Sequence, residues 1–78
     1  MTKQQKEQIT NNIHAINEMD NTKLCLFVQQ LYLAKPHMDK TVFDWTLRAC
    51  DIQMANLKEI TTMSPMVVMS ELCEDEIK

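Results

Sequence analysis

The sequence predicts an all-α protein, a compact four-helix bundle-like domain, and three observations carry that prediction. The 78 residues include no glycine, whereas a β-rich fold of this size needs tight turns at positive φ that glycine supplies without steric cost. Apolar residues recur at steps of three and four along most of the chain. Cap-forming Asp, Asn, Thr and Ser residues, with two prolines, interrupt that pattern at short intervals, as expected of helices that fold back on their neighbours. The predicted helices span about 3–19, 22–35, 40–61 and 65–76, within a single domain covering 1–78.

Thr2 is placed to cap the first helix, which shows a narrow stripe of Ile9, Ile13 and Ile16 on an otherwise polar surface. The run Met19 to Thr22 breaks it, and Asp20, Asn21 or Thr22 can open the second helix. That helix ends near Lys35, because Pro36 biases the preceding residue away from helical geometry. Its sequence, KLCLFVQQLYLAK, is apolar nearly all round. Leu24, Phe27, Val28 and Leu31 share one side, and Leu26 and Leu33 project from the other at about 100° per residue. A helix of this kind needs cover on every side, from its own domain or from a partner.

Asp39 is positioned to cap the third helix. Phe43, Leu47, Cys50, Met54 and Leu57 form one heptad-like seam. Val42, Trp45, Ala49 and Ile52 form a second, rotated by roughly 120–140°. Asp44, Arg48, Asp51, Lys58 and Glu59 fill the remaining arc. Ser64-Pro65 signals the start of the fourth helix, with Met66, Met69, Leu72, Cys73 and Ile77 expected on its core face. Glu71, Glu74, Asp75 and Glu76 gather at its C-terminal end, where the helix dipole disfavours negative charge, so that end is expected to fray.

Composition narrows the function classes. The net charge of −3 comes from eight basic and eleven acidic residues, and the basic ones are scattered rather than gathered into the patch that nucleic-acid binders show. Without glycine there is no phosphate loop and no dinucleotide fingerprint. Cys25, Cys50 and Cys73 are odd in number and share no CxxC spacing, so they are expected as reduced, buried thiols of a cytoplasmic protein. The N-terminal MTKQQKEQITNN lacks the apolar region of a secretory leader, and no run approaches the roughly 20 apolar residues of a membrane span.

No metal site, cofactor site or catalytic constellation is expected. His14, His37 and the cysteines are too scattered for ligand spacing, and burial silences a thiol nucleophile at Cys25 or Cys50. The seven methionines fit core packing better than a soft metal site. Trp45 to Ile60 can be laid on a helix-turn-helix with Asp51 in the turn, but it offers only Lys58 as a cation on the second helix, and the heptad runs unbroken through Asp51.

The surplus of apolar surface therefore points to a non-enzymatic interaction protein, a homodimer that binds and modulates, by inhibition for example, another protein or complex. Trp45, Ile52, Leu26 and Leu33 are the expected interface residues, since large aliphatic and aromatic anchors carry most interface energy. Small size and an Asn/Gln/Met/Lys-rich composition suit an accessory protein of a phage or mobile element. The alternative is a small helix-turn-helix DNA-binding regulator.

Overall fold

In a computed structural model the chain is described over residues 1–60 and 62–74, and it forms four α-helices. They are α1 (Lys3–Asn17), α2 (Asn21–Ala34), α3 (Lys40–Leu57) and α4 (Val67–Glu74). A 3-10 turn, Lys35–His37, joins α2 to α3 and accommodates Pro36. The all-α, four-helix architecture is the one expected. Ile77 and the end of the acidic run, Asp75 and Glu76, lie outside the described residues.

The helix starts follow local chemistry. Thr2 and Gln5 form a reciprocal capping box: Gln5 N–H donates to Thr2 Oγ1 at 3.1 Å, and Thr2 N–H donates to Gln5 Oε1 at 2.8 Å. Asp20 caps α2 by accepting from Lys23 N–H at 2.9 Å. Asp39 caps α3 by accepting from Val42 N–H at 3.1 Å, and its other oxygen accepts from Gln5 Nε2 at 3.0 Å. Gln5 thus belongs to the cap of one helix and braces the cap of another. The Val42 bond, and after it the Gln5 bond, hold the Asp39 carboxyl below the usual carboxylate range.

The helix ends depart from expectation. The first helix stops at Asn17 rather than 19, and the third at Leu57 rather than 61. Beyond α3, Glu59 sits at φ 61°, with Glu59 N–H donating to Asn56 O and Ile60 N–H to Ala55 O. This is a Schellman termination, which in most proteins places glycine at the left-handed position. A glycine-free chain closes it with glutamate instead. The fourth helix begins two residues later than its proline suggests: Ser64 Oγ accepts from Met66 N–H, and Val67, Val68 and Met69 each donate to the carbonyl three residues back. Pro65 is buried in that opening turn, and Ser64 Oγ donates to Asn17 Oδ1 at 3.0 Å, tying the turn to the end of α1.

The core lies between α3 and the other three helices. Ile9, Ile13 and Ile16 of α1 are fully buried and join Leu24, Leu31, Val42, Phe43, Ala49, Cys50, Val68 and Leu72. The face of α4 differs from expectation in its centre: Val68 and Leu72 are buried, whereas Met66 and Met69 are half-buried at its edges.

The two expected seams of α3 prove to be the margins of one broad face. Val42, Phe43, Thr46, Ala49, Cys50 and Gln53 are its buried residues, and at about 100° per residue they span roughly 120° centred on Thr46 and Gln53. Trp45 and Ile52 flank that arc on one side, Leu47 and Met54 on the other, all half-buried. Leu57, expected in the first seam, is 40% exposed in the last turn of α3. The polar residues at the centre are placed by hydrogen bonds to α1 and its exit: Asn12 Nδ2 donates to Thr46 Oγ1 at 3.1 Å, and Gln53 Nε2 to Met19 O at 3.0 Å. Gln53 Oε1 is buried with no hydrogen-bond partner among the described residues.

The Cα atoms extend 36 × 27 × 15 Å, and the short axis corresponds to two helix layers about 8–10 Å apart. Accessible surface totals 5265 Å², against about 13,000 Å² for an unfolded chain of this mass. That degree of burial leaves a small domain with a thin stability margin.

Candidate interaction surface

The outer face of α2 is where the surplus apolar surface ends up. Leu24 and Leu31 point into the core, and Phe27 and Val28 are half-buried beside them. On the opposite side Leu26 is 55% exposed and Leu33 79%. Tyr32, 51% exposed, and Cys25 border them, and Gln29 lies between the two leucines. From Asn21 to Ala34 the only charged residue is Lys23, and it projects from the flank rather than the centre of this face, at about 60° from Leu26. Lys35 is drawn away toward α3, its Nζ lying 5.1 Å from the centroid of the Phe43 ring. The outcome is a face centred on Leu26 and Leu33, bordered by the exposed side chains of Thr22, Gln29 and Gln30, with Lys23 on one flank and Cys25 and Tyr32 on the other.

The four expected interface residues do not share one surface. Tyr32 meets Phe43 edge-on, with ring centroids 5.6 Å apart at 73°, which sets α2 against the Phe43 side of α3. Arg48 pairs with Glu71 at 2.7 Å, which sets α4 against the other side, the one Trp45 and Ile52 flank. Trp45 and Ile52 are packed against the core there, whereas Leu26 and Leu33 face solvent on α2. The reason is geometric: the apolar margins of α3 are far enough apart for a separate helix to settle on each.

Three further exposed apolar residues lie beyond the α2 face. Leu57, Ile60 and Met63 are exposed at the end of α3 and in the segment after it. Ile60 lay inside the helix predicted to run to 61 and is exposed beyond the earlier Schellman stop, whereas Leu57 is exposed within the last turn of α3. Cys25, expected to be buried, is exposed on the outer face of α2, whereas Cys50 is fully buried. Burial, followed by the neighbouring Asp51 charge, pushes the Cys50 thiol up to about 12. A thiol so protonated is a packing group rather than a nucleophile.

The concave features are modest. A groove of about 250 Å³ between α1 and α2 is lined by Gln8, Asn12, Phe27, Gln30, Leu31, Ala34 and Met38, smaller than the roughly 300–1,000 Å³ of most small-molecule sites. An open depression of about 500 Å³ runs beside Lys3, Lys6, Glu7, Thr10 and Asn11 of α1. Among the described residues no group of three or more His, Cys, Asp or Glu side chains is arranged to hold a metal ion. Among the described residues, no helix is long and apolar enough to cross a membrane. In comparisons with known proteins, the chain matches no family model, no curated protein and no solved structure.

Proposed function

We propose that this is a non-enzymatic interaction protein that associates with itself as a homodimer and binds and modulates another protein or complex, an inhibitory accessory factor of the kind phages and mobile elements carry. The observation that supports this reading is the outer face of α2, where Leu26 and Leu33 stay exposed on a well-capped helix whose one charged residue, Lys23, lies on the flank. Single exposed apolar residues are ordinary, but two leucines on one helix face, with Tyr32 exposed beside them, are of the sort that marks association surfaces. Leu57 and Ile60 add exposed apolar surface at the end of α3.

The continuity of α3, which runs from Lys40 to Leu57 without a turn at Asp51, favours this reading over a helix-turn-helix regulator. The arc of α3 turned away from the core mixes Asp44 and Asp51 with Lys40, Arg48 and Lys58, and Arg48 is paired with Glu71, so it presents no concentrated basic patch of the kind nucleic-acid binders show.

Light scattering over a concentration series tests the proposal with wild type and Leu26→Glu/Leu33→Glu. The expected result is a wild-type mass rising from 9.1 kDa toward twice that value, little changed by added salt, and a double variant that stays monomeric with unaltered helical circular dichroism. A wild type that remains monomeric at every concentration overturns the homodimer.

A further inference from the structure

Three hydrogen bonds that tie α1 and its exit to α3 share one spacing. Gln5 Nε2 donates to Asp39 Oδ2 at 3.0 Å, Asn12 Nδ2 to Thr46 Oγ1 at 3.1 Å, and Gln53 Nε2 to Met19 O at 3.0 Å. Each joins residues 34 apart in the chain, so the rungs advance by seven residues along both partners. A constant offset of this kind requires α1 and α3 to run parallel and in register, with about 10.5 Å between rungs. The ladder extends from the N-cap of α3 to the residue that leaves α1.

The apolar contacts of α1 do not fix that register by themselves. Ile9, Ile13 and Ile16 are fully buried and spaced by four and then three residues. A slide of one turn toward the N-terminus, about 5.4 Å, therefore carries Ile13 to the seat of Ile9 and Ile16 to that of Ile13. The connection to α2 does not forbid it. Glu18 and Met19 N–H donate back to Ala15 and Ile16 O, so the exit is a compact turn, and extending residues 17–19 gains about 5 Å. The buried rungs do discriminate: after the slide Ala15 or Ile16 stands where Asn12 met Thr46, and Met19 O leaves Gln53. The outer rung is tolerant, because Gln8 moves to the level of Gln5.

Stability alone does not account for Gln53. Its Oε1 is buried with no hydrogen-bond partner among the described residues, an arrangement that costs free energy and that a methionine of similar length would avoid. A polar side chain in the seam of a helix pair lowers stability but selects one alignment, and apolar repacking of a core loses uniqueness before it loses stability. We infer that the rungs at Thr46 and Gln53 are a register lock, admitting one seating of α1 on α3 where the isoleucine stripe alone would admit two.

Amide proton–nitrogen spectra test the lock in Thr46→Val/Gln53→Met, which nearly keeps the size of both buried side chains and removes their polar atoms. Asn12 is only half-buried, so its amide can turn to water. The double variant is expected to be folded by circular dichroism, with a urea midpoint at or above that of wild type. Residues of α1 and the facing side of α3 should nonetheless give doubled or exchange-broadened resonances. Wild type at the same concentration should give one set, so that any self-association is common to both. Thr46→Ser, which keeps the hydroxyl and loses a methyl, should be less stable and still give one set. A single sharp set in the double variant would overturn the lock, because the isoleucines alone would then fix the register. An unfolded double variant would also overturn it, since the rungs would then hold the helices together rather than select their alignment. Doubling in Thr46→Ser would do the same by assigning the selection to packing of the methyl.

Discussion

Helices α1 and α2 are nearly equal in length, 15 and 14 residues, and they meet opposite problems. The first has few large apolar residues and buries every one: Ile9, Ile13 and Ile16 are at 0% exposure. The second is apolar nearly all round, yet only Leu24 and Leu31 are buried, and Leu26 and Leu33 stand in solvent. Position explains the difference. The first helix lies over the centre of the buried arc of α3, held by Asn12 to Thr46, and also packs on α4. The second lies along one margin of α3, so the core can cover only one of its sides. Apolar content therefore does not measure what a helix contributes to stability. In α2 the residues beyond the core stripe are free for association.

The sharpest way to break this comparison is to truncate each helix once. Ile13→Ala removes fully buried methyl groups at a site with little room to relax, and should lower unfolding free energy by about 2–5 kcal/mol in urea titration. That is a large part of the roughly 5–15 kcal/mol available to a small domain. A loss below 1 kcal/mol would mean that α1 is not the keystone its burial implies.

The two described cysteines extend the contrast to reactivity and pH. Cys25 should react with a thiol reagent in the native protein, and Cys50 only as the chain unfolds, with peptide mapping assigning each site. Cys50 also carries a pH signature. Its folded thiol stays protonated up to about 12, against an ordinary value of 9.0, so the unfolded chain releases this proton first as pH rises. Stability conferred by Cys50 is thus complete below pH 9 and declines toward pH 12. The decline should be shallower in Cys50→Ala, and an identical alkaline profile for the two proteins would remove this role from Cys50.

The smallest effect is expected where the sequence looks most apolar. Leu33→Ala should change monomer stability by no more than about 0.5 kcal/mol while weakening self-association measured by sedimentation. A loss as large as that of Ile13→Ala would mean that Leu33 is buried in the solution fold.

Much of this molecule follows from near neighbours in the chain. The caps at Thr2, Asp20 and Asp39, the isoleucine stripe of α1, the break at Pro36 and the unbroken course of α3 through Asp51 depend on contacts within about one helical turn, and such contacts are written in the spacing of residues. The exposure of Leu26 and Leu33 was half legible: their opposition to Leu24 and Leu31 is periodicity, but which side would lack cover is not. The rest belongs to the tertiary structure. Two apolar margins on α3 do not reveal that the buried arc lies between them, centred on Thr46 and Gln53, because a polar residue becomes a core residue only when a partner such as Asn12 or the Met19 carbonyl arrives from far along the chain. The early stop of α3, beyond which Ile60 is exposed, depends on a left-handed Glu59 that no glycine announces. Which faces of the helices meet is decided by how they share the limited surface of α3, and that sharing sorted Trp45 and Ile52 into the packing while leaving Leu26 and Leu33 outside it.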